Sequence, residues 1–182
     1  MPRTRPYSPL AGAALVLAAG MALAACSSGG SQEKRDYAVP SSLCGTAVSP
    51  AALEPLLPAG SKITSVKSGP SGFVRCRLVV DRQVAVTSII DQRQSGTRLM
   101  NVAYSTYGMR SDKIKKETQN YIISESLAVG HVSCGELQKE GHELFTVIRK
   151  ERGTVDATAM ERTITDFTDA VSTSQQCTAS HP

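Results

Sequence analysis

The sequence predicts an α+β domain: an antiparallel sheet of about five strands, with helices packed on one side and two disulfides. Three observations support this prediction. Alternating apolar and charged residues at 73–80 lead through a short turn into a second apolar run at 84–90, which is typical of an antiparallel hairpin. Apolar residues at 160, 164, 167 and 171 form one stripe, as on a helix that covers a sheet. Four cysteines follow Cys26, and an even number is typical of disulfides in an exported chain.

The first 25 residues are typical of a secretory signal. Arg3 and Arg5 precede an uncharged apolar run at 10–25, which is shorter than the roughly 20 residues of a membrane-spanning helix. The run ends in Leu-Ala-Ala before Cys26, and small residues in this position indicate a cleavage site. We therefore predict a signal peptide at 1–25, a flexible Ser/Gly tether at 26–36 and a single globular domain at 37–182. The alternative is an ordinary cleaved signal in which Cys26 occurs by chance.

The charge of the mature chain argues against one class of function. The formal net charge is +4, and loss of Arg3 and Arg5 with the signal leaves +2. Nucleic-acid binding needs a clustered excess of Lys and Arg, so we expect no nucleic-acid partner. No second apolar run reaches membrane-spanning length.

The first half of the domain shows one helix and three strands. Ser49 is a suitable N-cap, and Pro50 suits the first helical position because its missing N–H is not needed there. These signals predict a short helix at 51–57. The strands are predicted at 62–67, 73–80 and 84–90.

The second half is less regular until its last helix. Residues 91–110 fit both helical and strand spacing, and we favour helix. A short helix capped by Ser111 and Asp112 is predicted through residue 117. A strand at 127–134 with a kink at Gly130, a loop at 135–141 and a strand at 143–149 follow. Asp156 is predicted to cap the final helix.

The cysteines of the domain are Cys44, Cys76, Cys134 and Cys177. They allow three pairings, of which we favour the sequential one, Cys44–Cys76 and Cys134–Cys177. A zinc or redox site is disfavoured because no C-x-x-C pair occurs. We therefore expect no metal ligands.

The strongest catalytic candidates are His131 and Ser133. Residues two apart on a strand face the same way, so a hydrogen bond between them is conceivable, as in a hydrolase. The sequence suggests neither an oxyanion hole nor an orienting acid, so a half-buried histidine with a structural partner is favoured. His142 adjoins Glu143, but no second histidine follows four residues later as in zinc proteases. We therefore expect no catalytic residues and no cofactor.

A small basic cluster comprises Lys113, Lys115 and Lys116. It can contact anionic lipid, which is worth about 1 kcal/mol per charge at such a surface. A solvated helix face is the favoured interpretation.

The chain resembles small exported lipoproteins of actinobacteria whose domain has no assigned function. Leu-Ala-Ala-Cys at 23–26 is similar to their lipobox, and further similarity lies in the segment 129–134 and in a helix closing on Cys177. The resemblance implies cleavage before Cys26 and lipidation of that cysteine. It supplies no activity and no catalytic residues.

The sequence thus predicts a non-catalytic binding or interaction module, anchored by lipid to the outer face of the cell membrane. Its ligand or protein partner is not specified. Two alternatives remain open: a carrier of a small apolar or lipid ligand, and a cell-envelope hydrolase built on His131 and Ser133.

Overall fold

The computed structural model describes residues 34–178. The predicted signal peptide, Cys26 and the tether as far as residue 33 lie outside the described residues. Arg35 and Asp36, which the prediction placed in the tether, contact the folded body. The Arg35 guanidinium donates to the carbonyl of Leu57 at 2.8 Å, and the Asp36 N–H donates to the carbonyl of Gly60 at 2.8 Å.

Within residues 34–178, seven strands form one antiparallel sheet in the order β3-β4-β5-β9-β8-β7-β6. The strands are β3 (Ile63–Ser68), β4 (Phe73–Val80), β5 (Gln83–Gln94), β6 (Ile114–Glu117), β7 (Tyr121–Ser124), β8 (Leu127–Val132) and β9 (His142–Lys150). A separate hairpin consists of β1 (Ser42–Leu43) and β2 (Thr46–Ala47). The sheet is thus antiparallel as predicted, but it has more strands than the expected five.

The helices are α1 (Pro50–Leu53), α2 (Leu99–Asn101), α3 (Gly135–Lys139), α4 (Ala157–Ser172) and α5 (Gln175–Thr178). The turn Glu54–Leu56 extends α1, Val102–Thr106 extends α2, and the turn Ser111–Lys113 precedes β6. Asp156 caps α4 as predicted, because its carboxylate accepts the N–H of Thr158 at 2.8 Å.

Two hydrophobic clusters lie on opposite faces of the sheet, because alternate residues of each strand point to opposite sides. Ile148 of β9 packs in the cluster with Phe167 of α4, and we call this side the α4 face. Val147 of the same strand packs with Val102 and Ala103, and we call this side the crossover face. The prediction that helices cover one side alone is therefore wrong. Residues 95–113 connect the central strand β5 to the edge strand β6, so they must cross the second face.

Two local predictions also need correction. Residues 114–117 form strand β6 and pair with β7, whereas a helix was expected there. Residues 135–139 form helix α3, whereas a loop was expected. β8 keeps its register with both neighbouring strands through Gly130.

The structure has two disulfides, Cys44–Cys76 and Cys134–Cys177, which is the sequential pairing. The first attaches the β1–β2 hairpin to β4. The second attaches α5 to the segment that follows β8. Each crosslink therefore fixes a peripheral element to the sheet.

Candidate functional site

A cleft of about 500 Å³ lies on the α4 face. One wall is the β1–β2 hairpin with its loop, residues 43–47, and the other is the end of α4 with the start of α5. Buried side chains of the sheet and of α4 line its deep part, namely Cys76, Ser88, Ile90 and Phe167. This volume falls in the range of small-molecule sites.

The strand register places these side chains together. Cys76 of β4 lies opposite Ser88 of β5, and Val74 lies opposite Ile90. Lys67 of the edge strand β3 lies opposite Cys76 on its other side. Because directly opposed residues point to the same face, one row across three strands contributes a lysine, a cystine and a serine to the cleft.

Ser88 is the unusual member of this row. It is 1% exposed, and its hydroxyl makes no hydrogen bond with any residue in the range 34–178. Among residues 34–178, the fully buried side-chain polar atoms without a partner are Arg35 Nε, Arg93 Nε and His131 Nε2, so the Ser88 hydroxyl keeps contact with the cleft. A molecule in the cleft, or a water, can supply the missing bond. The deep part of the cleft therefore offers a polar anchor among apolar side chains.

Ser88 is recognisable in the sequence because it interrupts an apolar strand. Residues 84–90 read as an apolar strand except for Thr87 and Ser88, and the two must face opposite sides. Thr87 donates to a Glu151 carboxylate oxygen at 2.5 Å on the crossover face, whereas Ser88 lies in the cleft. Neither this serine nor Lys67 was predicted from the sequence as a site residue.

A polar cluster on the crossover face brings together Asp91, Arg93 and Tyr107. The Asp91 carboxylate is 3% exposed and accepts from Arg93 at 2.6 Å and from the Tyr107 hydroxyl at 2.7 Å. Burial, followed by the hydrogen bond to Asp91, raises the pKa of Tyr107 well above its ordinary value. The cluster attaches the crossover segment to β5, and Arg93 Nε is buried in it without a hydrogen-bond partner among the described residues.

His131 lies on the crossover face, where its side chain neighbours Phe145 and Glu143. Its ring centroid lies 5.2 Å from that of Phe145, and its Nε2 is 3.5 Å from a carboxylate oxygen of Glu143. The other Glu143 oxygen accepts the N–H of Gly96 at 2.9 Å. Ser133 is exposed beyond the end of β8, and in the described part of the chain no hydrogen bond joins it to His131.

The remaining sequence candidates lie apart. His142 is half-buried at the start of β9. Each lysine of the predicted basic cluster has an acidic partner, in the pairs Lys113–Asp112 at 3.6 Å, Lys115–Glu125 at 3.3 Å and Lys116–Glu161 at 2.6 Å. No group of three or more His, Cys, Asp or Glu side chains suited to a metal ion occurs among residues 34–178.

Comparison with protein-family models, curated proteins and solved structures gave no match for this chain. Over the described range, no helix combines the length and apolar character needed to cross a membrane.

Proposed function

We propose that this protein is a lipid-anchored, extracytoplasmic binding protein without catalytic activity, and that the cleft on the α4 face holds its ligand. The observation that carries the proposal is the hydroxyl of Ser88, which lines the cleft among apolar side chains and makes no hydrogen bond with residues 34–178. A binding site uses such a polar group to orient its ligand.

The proposed location rests on the sequence and agrees with the disulfides. Lipidation of Cys26 attaches two or more acyl chains, and two chains give stable membrane anchoring where one does not. Disulfides such as Cys44–Cys76 persist in oxidising compartments and are rare in the cytoplasm. The resemblance to actinobacterial lipoproteins supports the same assignment. The membrane is thus proposed as a partner through the anchor alone.

A carrier of a small apolar or lipid ligand is the second candidate. The apolar side chains of Val74, Ile90 and Phe167 favour it, since they can cover a hydrocarbon surface. Native mass spectrometry of gently purified protein separates the two candidates. A carrier retains its cargo and shows the added mass, whereas a receptor in exchange with its surroundings shows the mass of the polypeptide and its anchor.

The anchor is tested by the variant Cys26→Ala. We expect the protein to leave the membrane fraction, because the only site of lipid attachment is lost. Ser28→Ala, two residues further on, is the matched control and should remain with the membrane. Equal membrane retention of Cys26→Ala and the control would contradict the anchor.

The binding site is tested with the neutral fluorophore N-phenyl-1-naphthylamine and the mature chain from residue 26, made soluble by Cys26→Ser. We expect saturable binding of one probe per chain. Ala170 lines the cleft and is half-buried on α4, so Ala170→Phe should place a ring in the cleft and weaken binding by about ten-fold or more. Ala38→Phe makes the same change at an exposed position outside the cleft and serves as control.

Absence of saturable probe binding, or equal affinities of the Ala170→Phe and Ala38→Phe variants, would show that the cleft is not the ligand site.

A further inference from the structure

Among the described residues that line the cleft, one side chain is charged, and it is positive. Lys67 lies on β3, opposite Cys76, and lines the cleft beside the Cys44–Cys76 disulfide. It is exposed, and it forms no ion pair with the residues that the structure describes. This sets it apart from the lysines at 113, 115 and 116, each of which has a carboxylate partner.

The part of the cleft lining that the structure describes offers Lys67 no carboxylate partner. No Asp or Glu is among the described residues that line the cleft. The carboxyl end of α4 borders it, and a helix end carries partial negative charge on its free carbonyls. Two of these carbonyls already accept hydrogen bonds from hydroxyl groups. The Thr173 hydroxyl donates to the carbonyl of Ala170 at 3.2 Å, and the Ser174 hydroxyl donates to that of Val171 at 2.7 Å.

Below the rim, the lining is apolar apart from Ser88. Val74 and Ile90 of the sheet and Phe167 of α4 present hydrocarbon surface, and the serine hydroxyl lies among them. The cleft thus combines an unpaired cation at its edge with apolar surface and a single hydrogen-bonding group in its interior.

We infer that the ligand is a small amphipathic anion whose acidic group pairs with Lys67 and whose apolar part covers Val74, Ile90 and Phe167. The Ser88 hydroxyl hydrogen-bonds to a polar atom within that apolar part. A lysine ammonium is a compact point charge with three donors, so it suits a carboxylate, a sulfonate or a phosphate without demanding planar geometry. This inference rests on the proposed function, since it assigns a ligand class to the same cleft.

Two probes that differ by one group test the charge. 1-Anilinonaphthalene-8-sulfonate carries a sulfonate that N-phenyl-1-naphthylamine lacks, and the rest of the two molecules is the same. We expect Lys67→Gln to weaken binding of the sulfonated probe by about three- to five-fold, as for a solvent-accessible ion pair. Binding of the neutral probe should weaken less than this, because that probe lacks the group that pairs with Lys67.

The matched control is Lys62→Gln. Lys62 is exposed and lies just before β3, outside the cleft, so this variant removes the same charge from the protein without touching the site. In the unmodified chain, added salt should weaken binding of the sulfonated probe, because salt screens its attraction to Lys67. In Lys67→Gln this salt dependence should largely disappear, whereas Lys62→Gln should keep it.

The outcomes separate this inference from the function on which it rests. If the neutral probe does not bind in the cleft, the proposed function fails. A second outcome is that the neutral probe binds as proposed while Lys67→Gln weakens binding of the sulfonated probe no more than Lys62→Gln does. In that case the cleft remains the proposed binding site, and the inference that its ligand is an anion is wrong.

Discussion

Gly130 lies where strand β8 passes beneath helix α4, and we expect its replacement by alanine to destabilise the fold strongly. A Cβ atom at this position would lie 2.7 Å from the hydroxyl oxygen of Thr146 and 2.7 Å from that of Thr168. Ordinary contacts to a Cβ atom begin near 3.4 Å. Both oxygens must therefore move, or α4 must shift away from the sheet.

The environment of Gly130 makes such movement costly. The Thr146 and Thr168 hydroxyls are buried and hydrogen-bond to each other at 2.6 Å, which joins β9 to α4. Thr168 also donates to the carbonyl of Ile164 at 2.7 Å, and threonine has few alternative rotamers. Overpacking costs about 1–3 kcal/mol, and breaking a buried hydrogen bond costs about 1–3 kcal/mol. Since the two costs overlap, we expect Gly130→Ala to lower the free energy of unfolding by about 2–4 kcal/mol.

Denaturant-induced unfolding under oxidising conditions measures this loss. Far-ultraviolet circular dichroism is the suitable signal because the chain has no tryptophan. For a domain of this size the loss corresponds to a decrease in Tm of about 5–15 °C. Gly135→Ala is the matched control, because a Cβ atom there meets nothing within 4 Å and alanine favours helix α3.

A double variant isolates the physical cause. Thr168→Ala removes one of the two oxygens that the new methyl group would meet, so the cost of Gly130→Ala should be at least about 1 kcal/mol smaller in that background. The reasoning would be refuted if Gly130→Ala and Gly135→Ala had the same stability, or if Thr168→Ala brought no relief.

Three further predictions concern stability. Replacing Cys134 and Cys177 by alanine should reduce the free energy of unfolding by about 4 kcal/mol, because the disulfide closes a 43-residue loop and lowers the entropy of the unfolded chain. Equal denaturation midpoints of this variant and the unmodified protein would contradict the prediction. Hydrogen bonds from Thr158 hold the pKa of Asp156 below its ordinary value of 3.8, so this cap stabilises α4 above pH 4 and the stabilisation is lost as the pH falls through the lowered pKa. Asp156→Asn should remove that part of the acid dependence of stability, and unfolding curves from pH 7 down to 2 test it. Tyr107→Phe should cost about 1–3 kcal/mol in denaturant unfolding, because the buried carboxylate loses a donor, and an unchanged midpoint would contradict it.

Long and strongly patterned elements were predictable from the sequence. β4 spans Phe73–Val80 as predicted, because eight residues of alternation leave one orientation that buries the apolar side chains. Helix α4 has both a recognisable cap at Asp156 and a stripe of four apolar residues. In both cases the local pattern and the tertiary environment favour the same structure.

Short elements and the second face were not predictable in the same way. β6 and β7 have four residues each, so each face receives two side chains and no period can be recognised. β5 continues through polar residues to Gln94 because it pairs with β9 that far, and because the Asp91 carboxylate accepts from Tyr107 of the crossover segment as well as from Arg93. Tyr107 and β9 are distant in sequence, so a local pattern does not contain these contacts.

The candidate cleft depends on strand order, and strand order was not readable from the sequence. Lys67, Cys76 and Ser88 occur on three different strands, and the register of the sheet makes them neighbours. Without that register, a serine in an apolar strand has no evident role. The pairing of the cysteines was predicted, but not that Cys44 and Cys76 border the candidate cleft.

The two crosslinks have a consequence for where a ligand can be acquired. Cys44–Cys76 holds one wall of the cleft, and Cys134–Cys177 holds the helix that contributes Gln175 and Gln176 to the other. Disulfides are rare in the reducing cytoplasm, so under the proposed export both bonds form outside it and hold the walls there. The proposed receptor would therefore sample the molecules that surround the cell, and a cytoplasmic metabolite would reach it after leaving the cell itself.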